Sequence, residues 1–290
     1  MPEKKEKPKA DAPLPEAIAE EEEAVVAETA AVAIEEDVPI EEDMIAAAIA
    51  AGKEDLARWT PKTQIGMKVK NGEITDINTV FDSGFTIREA AIVDALLPTL
   101  ESDMIMIGQS RGKFGGGQRR AFKQTQRKTS EGNKPSFATM AVVGNRNGYV
   151  GIGYGKSKET VPAREKAIRN AKLDLFKIAR GCGSWECGCK TPHSIPFTVK
   201  GKNGSVEITL MPAPKGKGLI VEPEVAKILR IAGIKDVWSM TLGQTGTKTN
   251  LAWAAEDALR KLMKMRVTPE ISEKTGIVEG MIRTEEKNNG

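Results

Sequence analysis

Hydrophobic positions change their period along this chain, and from residue 100 onward the changes read as strand, long basic loop, strand, turn, strand, helix. Residues 104–107 are a first apolar run and residues 137–143 a second, and Asn147-Gly148 turns the chain into a third over 149–154. The helix that follows carries Ile168, Ala171, Leu175 and Ile178 at steps of three and four, and Pro162 is acceptable in its first turn. Its other face holds Arg164, Lys166, Arg169, Lys172 and Lys177. A three-stranded sheet backed by one helix is therefore predicted for 100–180.

A second unit is predicted for 181–265. Strands over 195–200 and 206–210 meet at Asn203-Gly204, a loop of Pro, Gly and Lys spans 212–218, and a helix over 223–232 ends at Gly233. A strand over 237–242 follows, then a helix capped by Asn250 that runs to Met263 with the stripe Leu251, Ala255, Leu259 and Leu262. Residues 266–290 are polar and read as a trailing extension. Upstream, residues 58–99 form an adapter. Order begins near Trp59-Thr60-Pro61, residues 69–77 read as a hairpin around Asn71-Gly72, and Thr86-x-x-Glu89 forms a capping box for a helix with Ala91, Ile92, Ala95 and Leu96 that Pro98 stops. The fold class is α+β.

Charge alters this picture at one end. The 290 residues sum to only +3, but residues 1–50 alone carry −11 and the rest +14. The first 50 residues hold 13 Ala, no aromatic, and acidic runs such as Glu20 to Glu23, too little apolar surface to offset ordering entropy. Residues 1–57 are thus expected to be a disordered acidic tail. No run of eighteen apolar residues occurs, and the chain does not open on a basic stretch followed by an apolar one. These features argue against a membrane span or signal peptide and for an intracellular protein.

Three stretches carry candidate chemistry. The tract 111–134 holds eight basic residues (Arg111, Lys113, Arg119, Arg120, Lys123, Arg127, Lys128 and Lys134) against the single acid Glu131, with Gly115-Gly116-Gly117 and the rings of Phe114 and Phe122. Such a segment repels itself when free, and its cations would displace counterions along a phosphate backbone while the rings stack on unpaired bases. Gly151-Ile152-Gly153-Tyr154-Gly155-Lys156-Ser157 invites a nucleotide-binding reading, but its spacing fits neither the P-loop nor the dinucleotide fingerprint. Its glycines alternate within a strand, as suits a backbone or nucleic acid lying flat on the sheet.

The three cysteines and the one histidine of the chain fall within twelve residues, as Cys182-x4-Cys187-x-Cys189-x3-His193. Three thiolates and an imidazole make a tetrahedral zinc set, though the C-x2-C spacing common in zinc fingers is missing. Two readings stay open, a closed structural zinc site or a cysteine-rich turn that packs Trp185. No catalytic set emerges: nothing orients Cys187 and His193 as nucleophile and base, and paired carboxylates cluster only in the tail.

Val142-Val143-Gly144-Asn145 and Asn147-Gly148-Tyr149-Val150-Gly151-Ile152-Gly153-Tyr154-Gly155-Lys156 closely resemble the signature of the small-subunit ribosomal protein five family. Pro212-Ala213-Pro214-Lys215-Gly216-Lys217-Gly218 and Ala232-Gly233-Ile234-Lys235-Asp236-Val237-Trp238 are similar to its second domain, and the stretch from Arg180 to Cys187 is similar to its archaeal branch. The resemblance implies a double-stranded-RNA-binding-like domain followed by an α/β domain, both without enzymatic activity. It further implies a structural place in the small subunit, in the cytoplasm, with contacts to 16S ribosomal RNA, ribosomal protein four and other small-subunit proteins, and influence on assembly and decoding accuracy. By motif position, Arg146, Asn147, Tyr149, Lys156, Lys158, Lys215 and Lys217 join the tract as RNA contacts. The tract from about Gly112 to Lys128 looks inserted relative to the family. No cofactor or small-molecule substrate is required, structural zinc being the one metal the residues suggest. The competing readings are a free double-stranded-RNA-binding regulator and a metal-dependent hydrolase.

Overall fold

The computed structural model describes residues 58–109 and 119–281. The acidic tail expected over 1–57 lies outside the described residues, as do Arg111, Lys113, Phe114, Gly115-Gly116-Gly117 and residues 282–290.

Among the described residues three short helices come first, α1 (Gln64–Lys70), α2 (Ile77–Asp82) and α3 (Ala90–Leu96). The hairpin expected over 69–77 is not formed. Thr63 caps α1, its hydroxyl accepting from the Gly66 amide at 3.1 Å, and Ile65 and Val69, four apart, turn one face inward. Asn71-Gly72 ends that helix instead of joining strands, with Gly72 at a φ of 79°. The capping box is absent too. Glu89 immediately precedes α3, and its carboxylate accepts from Trp59 Nε1 (2.9 Å) and from the amides of Lys62 (2.9 Å) and Thr63 (2.7 Å), which fastens the segment before α1 to the start of α3. Ile77, Val80, Ile92, Val93 and Leu97 then bury against Tyr149 and Leu175 of the sheet.

The first sheet contains β1 (Glu101–Ile105), β2 (Lys123–Thr129), β3 (Gly132–Gly144), β4 (Tyr149–Ser157) and, after α4 (Thr160–Leu173), β5 (Leu175–Lys177). It has five strands in place of the three expected. Its order is β1-β3-β4-β5, all antiparallel, and β2 is added to the same edge of β3 as β1. β2 lies in the tract expected to be a loop, and β5 takes residues expected to continue the helix. The buried stripe of α4 is accordingly not Ile168, Ala171, Leu175 and Ile178 but Ala163, Ala167 and Ala171, spaced by four.

Those alanines explain the glycines of β4. A Cβ on Gly151 would come within 2.1 Å of the Ala171 carbonyl oxygen, one on Gly153 within 2.2 Å of that of Ala167, and one on Gly155 within 2.2 Å of that of Ala163. The backbone lying flat on this strand is that of the protein's own helix, so nucleic acid has no room on that face. Gly201 repeats the device in the second unit, where its Cβ would meet the Ala254 carbonyl oxygen at 2.0 Å. Close glycine–alanine layers let a chain with 4% aromatic residues fill its core.

After β6 (Ala179–Arg180) the second sheet is built from β7 (Val199–Asn203), β8 (Val206–Pro212), β9 (Leu219–Ile220) and β10 (Val237–Leu242), in the order β7-β8-β10-β9, with β9 and β10 parallel. Helices α5 (Pro223–Ala232) and α6 (Lys248–Leu262) cover one face. α5 starts where the Glu222 carboxylate accepts from the amides of Glu224 and Val225, has Pro223 in its first turn, and stops at Gly233 with φ 85°. α6 begins two residues before the expected cap, so Asn250 lies inside it, while Leu251, Ala255, Leu259 and Leu262 are buried as expected.

One continuous core joins the two sheets, running from Ile105, Met140 and Val150 to Leu210, Leu229 and Leu259. Polar ties reinforce it. Glu224 accepts from the Met106 amide at 2.7 Å, and the Arg260 guanidinium lies 4.2 Å over the Phe176 ring while pairing with Asp174 (2.6 Å) and Glu256 (2.8 Å). The polar segment after Val267 is not simply trailing over its described part. It forms α7 (Pro269–Thr275) and β11 (Val278–Glu279), β11 pairs with β6, and the Thr275 carbonyl accepts from the Cys182 amide at 2.8 Å. No helix among the described residues is long and apolar enough to cross a membrane.

Candidate nucleic-acid interface and thiol cluster

Pairing of β3 with β4 begins only at Phe137, whereas pairing with β2 extends out to Gly132. Residues 123–136 are thus a two-stranded arm, closed by Ser130-Glu131 with Gly132 at φ 112°, and among the described residues no third strand pairs with its outer half. Every β2 residue from Lys123 to Lys128 is exposed. No apolar face holds this arm down, and two strands alone are marginal in water. Lys123, Arg127, Lys128 and Lys134 project from it; Lys134 pairs with Glu131 at 2.8 Å, both side chains being largely exposed. At its base Arg120 is exposed, and Arg119 is half-buried and donates from Nη1 to the Gly246 carbonyl at 3.1 Å.

A second group of cations gathers beside the arm. Lys156 and Lys158 border an open groove of about 560 Å³ together with Ser136, Ser157, Glu159 and Lys166. The helical spacing places Lys166 on a basic face and no more; convergence with β4 and β3 is what makes it a candidate. Two other members of that face are committed elsewhere: Lys172 pairs with Asp94 at 2.6 Å and Lys177, on β5, with Asp82 at 2.7 Å. Lys215 and Lys217 are both exposed in the loop between β8 and β9.

The β3–β4 turn is arranged differently from expectation. Tyr149 is 1% exposed, stacks on Phe81 with ring centroids 6.0 Å apart, and donates its hydroxyl to Asn78 Oδ1 at 2.5 Å. Burial raises its phenol pKa. It is a core residue joining the adapter to the sheet and offers RNA no surface. Asn147 Oδ1 accepts from Arg180 Nη2 at 2.8 Å, and Arg180, itself 4% exposed, also donates to the Gly280 carbonyl at 3.1 Å. Arg146 stays exposed at φ 53° and pairs with Glu101 at 2.7 Å. Of the three turn residues, Arg146 is exposed, Asn147 partly buried and Tyr149 buried.

The thiol cluster lies between the two units, where residues 182–193 contain neither helix nor strand. The Sγ atoms of Cys182, Cys187 and Cys189 and a ring nitrogen of His193 all lie within 4.8 Å of one another. Cys187 Sγ is 3.8 Å from His193 Nε2, and His193 Nδ1 is 2.8 Å from Asp236 Oδ2. Burial pushes the Cys182 thiol up to about 11, helped by the neighbouring cysteines. Burial opposes ionisation of Cys189 as well, but hydrogen bonds from Thr191 and the adjacent thiols outweigh it and bring that thiol down to about 6. Trp185 is 90% exposed, which removes the reading of a turn that packs this ring.

Both halves of the chain match known protein families. Residues 118–179 match the ribosomal protein S5 N-terminal domain and residues 201–275 the ribosomal protein S5 C-terminal domain. The chain is 48% identical over 228 residues to small ribosomal subunit protein uS5 of Nanoarchaeum equitans, covering 79% of this chain and 98% of that relative. This chain belongs to the ribosomal protein S5 family. Small ribosomal subunit protein uS5 of Methanocaldococcus jannaschii is 46% identical over 228 residues, with 79% and 98% covered, and that of Methanococcus maripaludis strain C6 is 48% identical over 224, with 77% and 91% covered. The S5 family is one of structural ribosomal proteins, not enzymes, and its relatives here are archaeal. The N-terminal match begins at residue 118, so the whole arm lies within the stretch that matches the family's N-terminal domain, as does the part of the expected insertion from 118 onward.

Proposed function

We propose that this protein is a structural constituent of the small ribosomal subunit that binds 16S ribosomal RNA through the β2–β3 arm and the cations around it. The observation that carries the reading is the arm itself: a two-stranded ribbon, polar on both faces, with Lys123, Arg127, Lys128 and Lys134 exposed and, among the described residues, no layer over its tip. A ribbon of this kind gains order when its cations meet phosphate, since counterion release supplies free energy that apolar burial does not. Arg120, Lys156, Lys158 and Lys166 extend the charged surface, and Lys215 and Lys217 supply a second contact from the other unit. Arg111 and Lys113 belong to the same tract in sequence. The function calls for no cofactor or small-molecule substrate, and its place is the cytoplasm, with the ribosome.

The face of the second sheet opposite α5 and α6 fits a protein partner, which in this reading is small-subunit ribosomal protein four or another small-subunit protein. Ile220, Met240 and Leu242 are each about half exposed there; Ile220 is paired with Trp238, which lies opposite Met211, and Met240 and Leu242 follow Trp238 at two-residue steps along β10. An apolar stripe on an otherwise polar sheet marks a contact surface. Through both contacts the protein would contribute to assembly and to accuracy of translation.

Ultraviolet crosslinking of purified small subunits, read by mass spectrometry, tests the RNA assignment. Nucleotide adducts are expected on peptides spanning 120–134 and 215–217. Adducts confined to other peptides, with the arm unmodified, would contradict it.

A further inference from the structure

We propose that Cys182, Cys187, Cys189 and His193 hold a structural Zn²⁺ ion that organises the link between the two units of this protein. The donor set is suited to that ion. Three thiols and one imidazole converge to within 4.8 Å, and a tetrahedral ion with Zn–S bonds of ~2.3 Å needs sulfur pairs about 3.8 Å apart, so a small contraction closes the site. The four donors fill every position of such an ion and leave none for water or substrate, which makes the site structural.

His193 is already oriented for the metal. Its Nδ1 donates to Asp236 Oδ2 at 2.8 Å, both side chains being 5% exposed, and this fixes the tautomer that presents the Nε2 lone pair to Cys187 Sγ. A carboxylate behind the imidazole is the support that metal-bound histidines commonly have. Asp236 immediately precedes β10, 43 residues away, and its other oxygen accepts from the Gly218 amide at 2.8 Å, beside Lys215 and Lys217.

Apolar packing does little to hold this segment in place. Residues 182–193 have irregular backbone, and the one large apolar side chain among them, Trp185, is 90% exposed. Apolar burial therefore does little to order it. Yet it is built into its surroundings: Cys182 donates its amide to Thr275, the His193 carbonyl accepts from the amides of Lys235 and Asp236, and Gly276 passes so close to Lys190 that a Cβ would lie 1.9 Å from its carbonyl oxygen. A metal ion joining four side chains of one short loop supplies order of the kind the hydrophobic core does not reach.

The test uses the full chain and, in parallel, small subunits purified from native cells. Elemental analysis is expected to give one zinc per chain. Co²⁺ added to chelator-treated protein should produce the thiolate charge-transfer and d–d bands of a tetrahedral S₃N site, and zinc should protect all three thiols from a thiol reagent. Asp236→Asn should keep the stoichiometry but weaken zinc binding about 10- to 100-fold, and it separates loss of metal from loss of fold because no ligand is changed. Absence of zinc together with no thiolate bands and equal thiol reactivity with and without chelator would overturn the proposal. Stoichiometric iron in place of zinc would overturn the assignment of the ion.

Discussion

Gly153→Ala is expected to destabilise the protein by about 3 kcal/mol, because one methyl group would have to enter a sheet–helix layer that has no space for it. The new Cβ would lie 2.2 Å from both the Ala167 carbonyl oxygen and the Ala171 amide nitrogen. Both are backbone atoms of α4, so no side chain can swing aside. The helix would have to lift, and with it the close packing at Gly151 and Gly155. A loss of that size is a large fraction of the roughly 5–15 kcal/mol that holds a domain folded, so a lower urea midpoint or a collapse in soluble yield is expected. Gly246→Ala is the control, since a Cβ there meets nothing within 4 Å. Equal midpoints for the two variants would show that the glycine–alanine layer does not set the packing.

The second large effect concerns the arm. Replacing Arg119, Arg120, Arg127 and Lys128 together by Ala should flatten the salt dependence of ribosomal RNA binding by about three log–log units, since each phosphate no longer neutralised removes roughly 0.7–0.9 unit. Arg119 counts among the four because the bond from its Nη1 to the neutral Gly246 carbonyl leaves its charge in place. Arg127 and Lys128 sit on an exposed ribbon, so their removal should leave the fold intact, and affinity should fall alike for all RNA sequences if these groups meet phosphate alone. Binding titrations across a salt series read both quantities. An unchanged slope would mean that this arm does not touch phosphate.

Particular elements show why some of this was legible in the sequence. α5 was readable to the residue because its start and stop are local: Pro223 in the first turn, Gly233 at positive φ. The same kind of signal misled at Asn71-Gly72. A positive-φ pair marks a turn but does not say whether a helix or a strand precedes it, and Thr63 with Ile65 and Val69 carried the helical evidence. β2 was unreadable because Lys-Gln-Thr-Gln-Arg-Lys-Thr has no buried face to produce alternation; it is a strand only through its bonds to β3. Leu175 and Ile178 continued a helical spacing, yet pairing of β5 with β4 overrides it.

The candidate sites divide in the same way. Charge density pointed to the arm, and residue type pointed to the thiol cluster. Sequence could not reveal that Tyr149 faces Asn78 and Phe81, since its partners come from the adapter some 70 residues earlier. Nor could it reveal Asp236 behind His193, or Lys166 beside Lys156 and Lys158, because each of those meetings is made by tertiary packing.

Membership of the small subunit through RNA contact is tested most directly by sedimentation of a native lysate. The protein is expected to travel with small subunits through a sucrose gradient at moderate salt, in proportion to their ribosomal RNA, and to remain there after large subunits dissociate. Recovery at the top of the gradient, apart from the small-subunit peak, would contradict the account and favour a free RNA-binding regulator.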